Sequence, residues 1–159
     1  LGKLSEKYPR RTDRLAVCRN RCLDEVFNER YNDVDYVVVA DFDGINTKLT
    51  SAAVQSCWAS DEWDVCCANQ DGPYYDIWAL RHHLWCPNDC WKAQRVLRKL
   101  GASEFVATLS VVYSRMRIIE RDSRWIEVDS AFGGLAVYKK GILSGVRYYG
   151  LGKEGEEIV

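Results

Sequence analysis

Asp35 to Ala40 (DYVVVA) is an almost unbroken β-branched run that ends on Asp41-Phe42-Asp43-Gly44. Such a run favours extended backbone. It reads as a buried parallel strand, because a strand covered on both faces loses the alternation of polar and apolar residues. Gly44 lets the chain turn tightly after the strand and approach a bulky ligand. In open α/β sheets, ligands bind at the carboxyl ends of strands, and that is where this acidic turn falls. Two neighbouring carboxylates repel unless a cation or a shared proton offsets them. Oxygen ligands of this kind suit Mg²⁺ or Mn²⁺, with water and diphosphate oxygens filling the remaining positions. Asp41 and Asp43 are therefore the candidate metal ligands. The plainer alternative is an Asp/Gly turn with Asp caps. Pattern alone is weak support, since 23 acidic residues produce a few such spacings by chance. Asp33-Val34-Asp35 is one of these and reads as a solvated loop.

Helical and extended segments alternate around this strand. Arg11 to Tyr31 reads as a helix, with Leu15, Arg19, Leu23 and Phe27 in one row four apart. Thr50 is expected to cap a short helix to about Ala59, and Asp64 to Ala68 to form a second strand. Asn88 or Asp89 should cap a helix ending at Leu100, with Gly101 as its stop and Ala93, Val96, Leu97 and Leu100 as its apolar row. Trp125–Val128 and Leu135–Tyr138 read as strands flanking the Phe132-Gly133-Gly134 bend. The expected class is α/β with a mainly parallel central sheet, in a single domain.

Arg19 lies within an apolar row, so its guanidinium is carried toward the core face and needs a partner. An Asp of the acidic turn and a ligand phosphate both suit an arginine fork, and Arg10, Arg11 and Arg14 add positive charge nearby. The alternative is a stem that snorkels to water. Charge is balanced, 22 basic against 23 acidic residues, so no global field draws a polyanion such as nucleic acid. No apolar run approaches the roughly 20 residues of a membrane span. Seven cysteines do not read as a secreted disulfide framework. Cys86 and Cys90 with His82 or His83 would make a zinc set, but the spacing favours reduced cysteines acting as small apolar residues.

Four blocks resemble the GT-A glycosyltransferases related to fungal capsule-associated mannosyltransferases and their bacterial and viral relatives. They are Arg11-x-x-Arg14-Leu15-Ala16-x-x-Arg19-Asn20, the Asp35–Ala40 run into Asp41-Phe42-Asp43-Gly44-Ile45-Asn46, Tyr75-Asp76-Ile77-Trp78-Ala79-Leu80-Arg81, and Ala131-Phe132-Gly133-Gly134-Leu135-Ala136-Val137-Tyr138. They come in the right order and span about Arg11 to Tyr149. The resemblance implies a GT-A, Rossmann-like fold. It also implies metal-dependent transfer of a sugar from a nucleotide-diphosphate donor to a glycan or other hydroxyl acceptor. In that reading Asp41 and Asp43 hold Mn²⁺ or Mg²⁺, and Arg14, Arg19, Asn20, Asp41 and Gly44 face the donor. The chain departs from the group in having only a short lead-in before Arg11 and no histidine after His83. Both departures sit at the ends, so part of a longer protein is expected.

The segment Asn69 to Arg81 is rich in aromatics. Flat rings with a carboxylate and an arginine suit the mixed apolar and hydroxylated faces of a sugar. Asp76, Trp78 and Arg81 are accordingly the acceptor-binding candidates, with core packing the alternative for Trp78. An inverting enzyme needs a base for the acceptor proton, and Asp129, before the glycine bend, is the first choice; a retaining enzyme uses none. Two other functions stay open. One is a metal-dependent phosphoryl-transfer or phosphatase-like enzyme, which also places Asp-x-Asp after a strand. The other is a catalytically inactive carbohydrate-binding domain.

Overall fold

A computed structural model describes residues 3–152. The protein is mixed α/β, with elements in the order α1 (Leu4–Lys7), α2 (Arg11–Val26), β1 (Tyr36–Ala40), α3 (Ser51–Gln55), β2 (Val65–Cys67), α4 (Cys90–Lys99), α5 (Glu104–Val111) and β3 (Leu135–Lys139). It divides into two compact units. Of the described residues, 3–38 and 137–152 belong to the first and 39–136 to the second.

The sheet has three strands in the order β1-β3-β2. Asp41 N–H donates to the Gly134 carbonyl at 2.8 Å, and Lys140 N–H to the Asp35 carbonyl at 2.7 Å. Residue numbers therefore run oppositely along β1 and β3, and the sheet is antiparallel. The expected mainly parallel sheet is not found among the described residues. The direction of a strand's partner leaves no mark on its own composition, and here the partner returns from the glycine bend. β1 is an edge strand, with Val38 51% exposed, whereas Leu135, Ala136 and Val137 of central β3 are buried. Residues 125–128 form no strand. Instead Asp129 N–H donates to the Arg81 carbonyl at 2.9 Å, in an isolated bridge between Arg81 and Ser130.

In the first unit, α2 stops five residues before Tyr31. Asn28 ends it by accepting the Arg30 N–H on its side-chain oxygen, which starts a separate 3₁₀ turn over Glu29–Tyr31. The buried positions of α2 are Thr12, Ala16 and Leu23, and Phe27 is exposed. Arg19 shares their row at helical spacing.

The core of the second unit gathers Tyr74, Ile77, Leu80, Cys86, Cys90 and Val112, with Trp78, Trp85 and Trp91 packed against it. Helix α3 begins where expected, at Thr50, whose hydroxyl accepts the Ala53 N–H. Helix α4 begins at Asp89, whose carboxylate accepts the Lys92 N–H at 2.7 Å. It ends in a Schellman turn, with Gly101 N–H on the Arg98 carbonyl, Ala102 N–H on the Leu97 carbonyl, and Gly101 at φ +98°. Its inward face differs from the expected row: Cys90 and Gln94 are buried, while Val96 and Leu100 are exposed. Helix α5, which packs against α4, has no counterpart in the sequence reading. Its β-branched residues (Val106, Thr108, Val111) hide a helix that Ser103 caps through the Val106 N–H.

The seven cysteines carry free thiols. Burial, then contact with the Cys57 thiol, pushes Cys66 up to about 12. Burial, then the Asp76 carboxylate, pushes Cys67 to about 11, and burial, then Asp89, does the same for Cys90. Thiols held protonated in the fold stabilise it at neutral pH. That contribution is complete below their unfolded value near 9 and is lost as pH climbs through 11 to 12. At pH 8, a thiol reagent should therefore label exposed Cys22 first, with Cys66, Cys67 and Cys90 reacting only on unfolding; equal labelling rates at all seven would contradict this burial pattern. Asp89→Ala should cost about 1 kcal/mol in denaturant unfolding and Asp89→Asn much less, since asparagine caps nearly as well.

Candidate functional site

The acidic turn leaves β1 at Asp41, and its backbone is fixed on both sides. Asp41 N–H donates to the Gly134 carbonyl. The Asn46 side-chain amide donates to the Asp41 carbonyl and to the same Gly134 carbonyl, each at 2.8 Å. Asp43 accepts the Ile45 N–H at 3.3 Å, and Gly44 takes φ +97°, a left-handed conformation that a residue with a Cβ adopts at a cost. Asp41 is half-buried, Asp43 is exposed, and Phe42 stands fully exposed between them.

The partner of this turn is the Gly133–Gly134 bend. Both glycines have positive φ, +68° and +84°. A Cβ on Gly133 would lie 2.4 Å from the Ala68 carbonyl oxygen, and one on Gly134 would lie 2.7 Å from Ile45 Cγ2 and 3.2 Å from the Tyr75 hydroxyl. Side chains grip the bend as well. Gln70 donates to the Gly133 carbonyl at 2.8 Å, and Asp76 accepts the Gly133 N–H at 3.1 Å. The other Asp76 oxygen receives the Ala79 N–H at 3.4 Å.

Tyr75 joins these pieces. Burial raises its hydroxyl pKa, and the Asp76, Asp41 and Asp43 carboxylates raise it further, while a hydrogen bond with Gln70 opposes them. All three acidic groups therefore act on one phenol beside the bend. The two ends of the sequence argument, the acidic turn and the aromatic block, meet there. Among the described residues, no group of three or more His, Cys, Asp or Glu side chains gathers to hold a metal. Asp41 and Asp43 are two carboxylates two residues apart in the one turn.

The remaining candidates have the following surroundings. Trp78 and Asp76 line a cavity of about 240 Å³ between the Tyr75–Trp78 loop and helices α4 and α5. Arg81 donates to the Trp78 and Leu80 carbonyls at 2.7 Å and pairs with Asp89 at 3.6 Å, so its guanidinium braces the loop onto the start of α4. Asp129 is exposed, and its carboxylate has no hydrogen bond or ion pair among the described residues. Arg14, Arg19 and Asn20 belong to the first unit. Arg14 donates to the Tyr8 carbonyl at 2.8 Å, and the Arg19 guanidinium lies 5.3 Å from the Tyr148 ring centre. The Asn20 side chain exchanges two 2.8 Å hydrogen bonds with the Tyr148 backbone. Asn46 stood in one of the four blocks without a role, and Gln70 and Trp91 were not singled out by sequence. Single polar or aromatic residues in loops and helices carry no periodic signal, and only the fold shows what they touch.

Gly133→Ala should lose about 1–3 kcal/mol to the forced backbone conformation alone, with the collision against Ala68 adding to it. Gly141→Ala, where a Cβ meets open space at ordinary φ, should change little. Urea unfolding of both variants checks this, and equal midpoints would remove the bend from its structural role. No protein family, no curated protein and no solved structure matches this chain, so the site stands on its own geometry.

Proposed function

We propose that the chain is the metal- and donor-binding part of a GT-A type glycosyltransferase. It would move a sugar from a nucleotide-diphosphate donor to a hydroxyl acceptor, with Mn²⁺ or Mg²⁺ held by Asp41 and Asp43. The observation that carries the reading is the acidic turn itself: two aspartates just past a strand, the first tied by its backbone to a glycine bend, and both raising with Asp76 the pKa of one phenol.

The donor set suits the ion. Two carboxylates occupy part of an octahedral oxygen shell and leave positions for water and phosphate oxygens, the usual arrangement for Mg²⁺ at a phosphate site. Bound there, the cation would offset the negative charge that grows on the diphosphate as the sugar leaves. The chain's own residues do the rest. Asn46 holds the turn at a fixed distance from the bend, and Gly44 lets backbone approach the donor. The exposed Asp129 carboxylate, without a partner among the described residues, suits a base that takes the acceptor proton.

Asp43→Asn should lower metal-dependent turnover of the best donor in a nucleotide-sugar panel by about a hundredfold or more, the scale seen when one group facing transition-state charge is removed. Its thermal unfolding should stay near that of the parent, because removing one of two like charges relieves repulsion in the metal-free protein. Asp33→Asn should change neither. Full turnover by the Asp43 variant, on a donor that the parent uses, would sink the assignment. Release of phosphate from a phosphomonoester, without sugar transfer, would favour the phosphoryl-transfer alternative.

A further inference from the structure

Helices α4 and α5 pack together in the second unit, joined by the tight turn at Gly101. Cys90 and Gln94 of α4 and Ala107 of α5 are buried. Outside, the pair carries large apolar side chains in solvent: Val96, Leu100, Phe105, Val106 and Leu109. We infer that this helical hairpin docks on an anionic lipid surface, with the apolar side chains at its turn entering the interface and the cations of α4 meeting the headgroups. The inference rests on no part of the transferase reading.

Two contacts fix the hairpin as antiparallel. Arg98 pairs with Glu104 close to the turn, and further from it Gln94 donates to the Thr108 hydroxyl at 3.4 Å. Leu100 and Phe105 stand on either side of the turn, 79% and 70% exposed. Val106 and Leu109 lie one and four residues beyond Phe105, on the same face of α5. Single apolar residues on a surface are ordinary, but a gathering of them at one hairpin marks an interaction site. No helix of the described residues is long and apolar enough to cross a membrane, so the contact is with the bilayer surface.

Charge names the partner. From Cys90 to Ser103 the chain carries four cations, Lys92, Arg95, Arg98 and Lys99, and no carboxylate, although the whole sequence has a net charge of −1. Arg98 is spent on Glu104. Lys92, Arg95 and Lys99 are exposed and form no ion pair among the described residues. Lys92, Val96 and Lys99 share one face of α4 at helical spacing, with Arg95 beside them, so cations and apolar groups are interleaved there. A basic amphipathic helix of this kind suits the headgroup region of an anionic bilayer. Two other occupants fit less well. A second copy joined through the same patch would set these cations against their own counterparts. A helical peptide lies in a groove, whereas Leu100 and Phe105 stand out into solvent.

The test is sedimentation of the full chain with phosphatidylcholine vesicles, with and without an equal part of phosphatidylserine. The protein should pellet with the mixed vesicles at low salt, far less at high salt, and not with phosphatidylcholine alone. Each cation at an anionic surface contributes about fivefold, so changing Lys92, Arg95 and Lys99 together to Gln should weaken partitioning about a hundredfold. Leu100→Ser combined with Phe105→Ser should weaken it about tenfold or more. Leu84→Ser, which removes an equally exposed leucine outside the hairpin, should change little. All the altered side chains are exposed, so thermal unfolding of the variants should match the parent. No pelleting with the mixed vesicles, equal pelleting with phosphatidylcholine alone, full pelleting of either folded hairpin variant, or an equal loss in Leu84→Ser would each overturn the inference. Binding of an amphipathic Glu/Leu peptide by a parent protein that does not pellet would overturn it in favour of an acidic protein partner.

Discussion

Two consecutive glycines at positive φ bring the chain back toward the end of β1 and start β3. Side chains at both positions are excluded, by the Ala68 carbonyl at Gly133 and by Ile45 and the Tyr75 hydroxyl at Gly134. The polar groups of the bend are then used from several directions. The Gly134 carbonyl takes the Asp41 amide and the Asn46 side chain, while Gln70 and Asp76 hold the two ends of Gly133. The acidic turn, the aromatic loop and β2's exit at Ala68 are all positioned against this one piece of backbone. A carboxylate pair on a free loop would spread under its own repulsion. Here the backbone of one member is tied at both its N–H and its carbonyl before any ligand arrives.

The strand ending in Asp41-Phe42-Asp43-Gly44 was legible in the sequence, because a β-branched run and an Asp/Gly turn are local signals. Which neighbour it takes is not local. β1 lies at the sheet edge and faces solvent at Val38, so its composition overstated its burial, and its partner runs antiparallel from a bend more than ninety residues on. The caps at Thr50 and Asp89 and the stop at Gly101 were readable for the same local reason. Helix α5 was not, because its β-branched residues argue against the helix that α4 supports by packing. Trp125–Val128 looked like a strand on residue type, but the neighbouring Asp129 amide bonds to Arg81 and not to the sheet.

The site shows the same division. Residue types singled out Asp41, Asp43 and Asp76, but only the fold brings all three within electrostatic reach of Tyr75. Asp76 was chosen as a sugar ligand, and its two oxygens are also found bracing the Gly133 amide and the 76–79 turn. Arg81 was chosen for the same purpose and braces its own loop onto Asp89. Both are positioning groups in this structure.

The claim that the acidic turn and the glycine bend form one cation site is tested most directly by titrating Mn²⁺ into ¹⁵N-labelled protein and following paramagnetic broadening of its amides. The account predicts that Asp41 to Asn46, Tyr75, Gly133 and Gly134 broaden first and together, at Mn²⁺ levels that leave the amides of Asp33 and Asp35, at the other end of β1, still sharp. Broadening that begins at Asp33, or elsewhere away from the bend, would contradict it, as would uniform weak broadening without any focus.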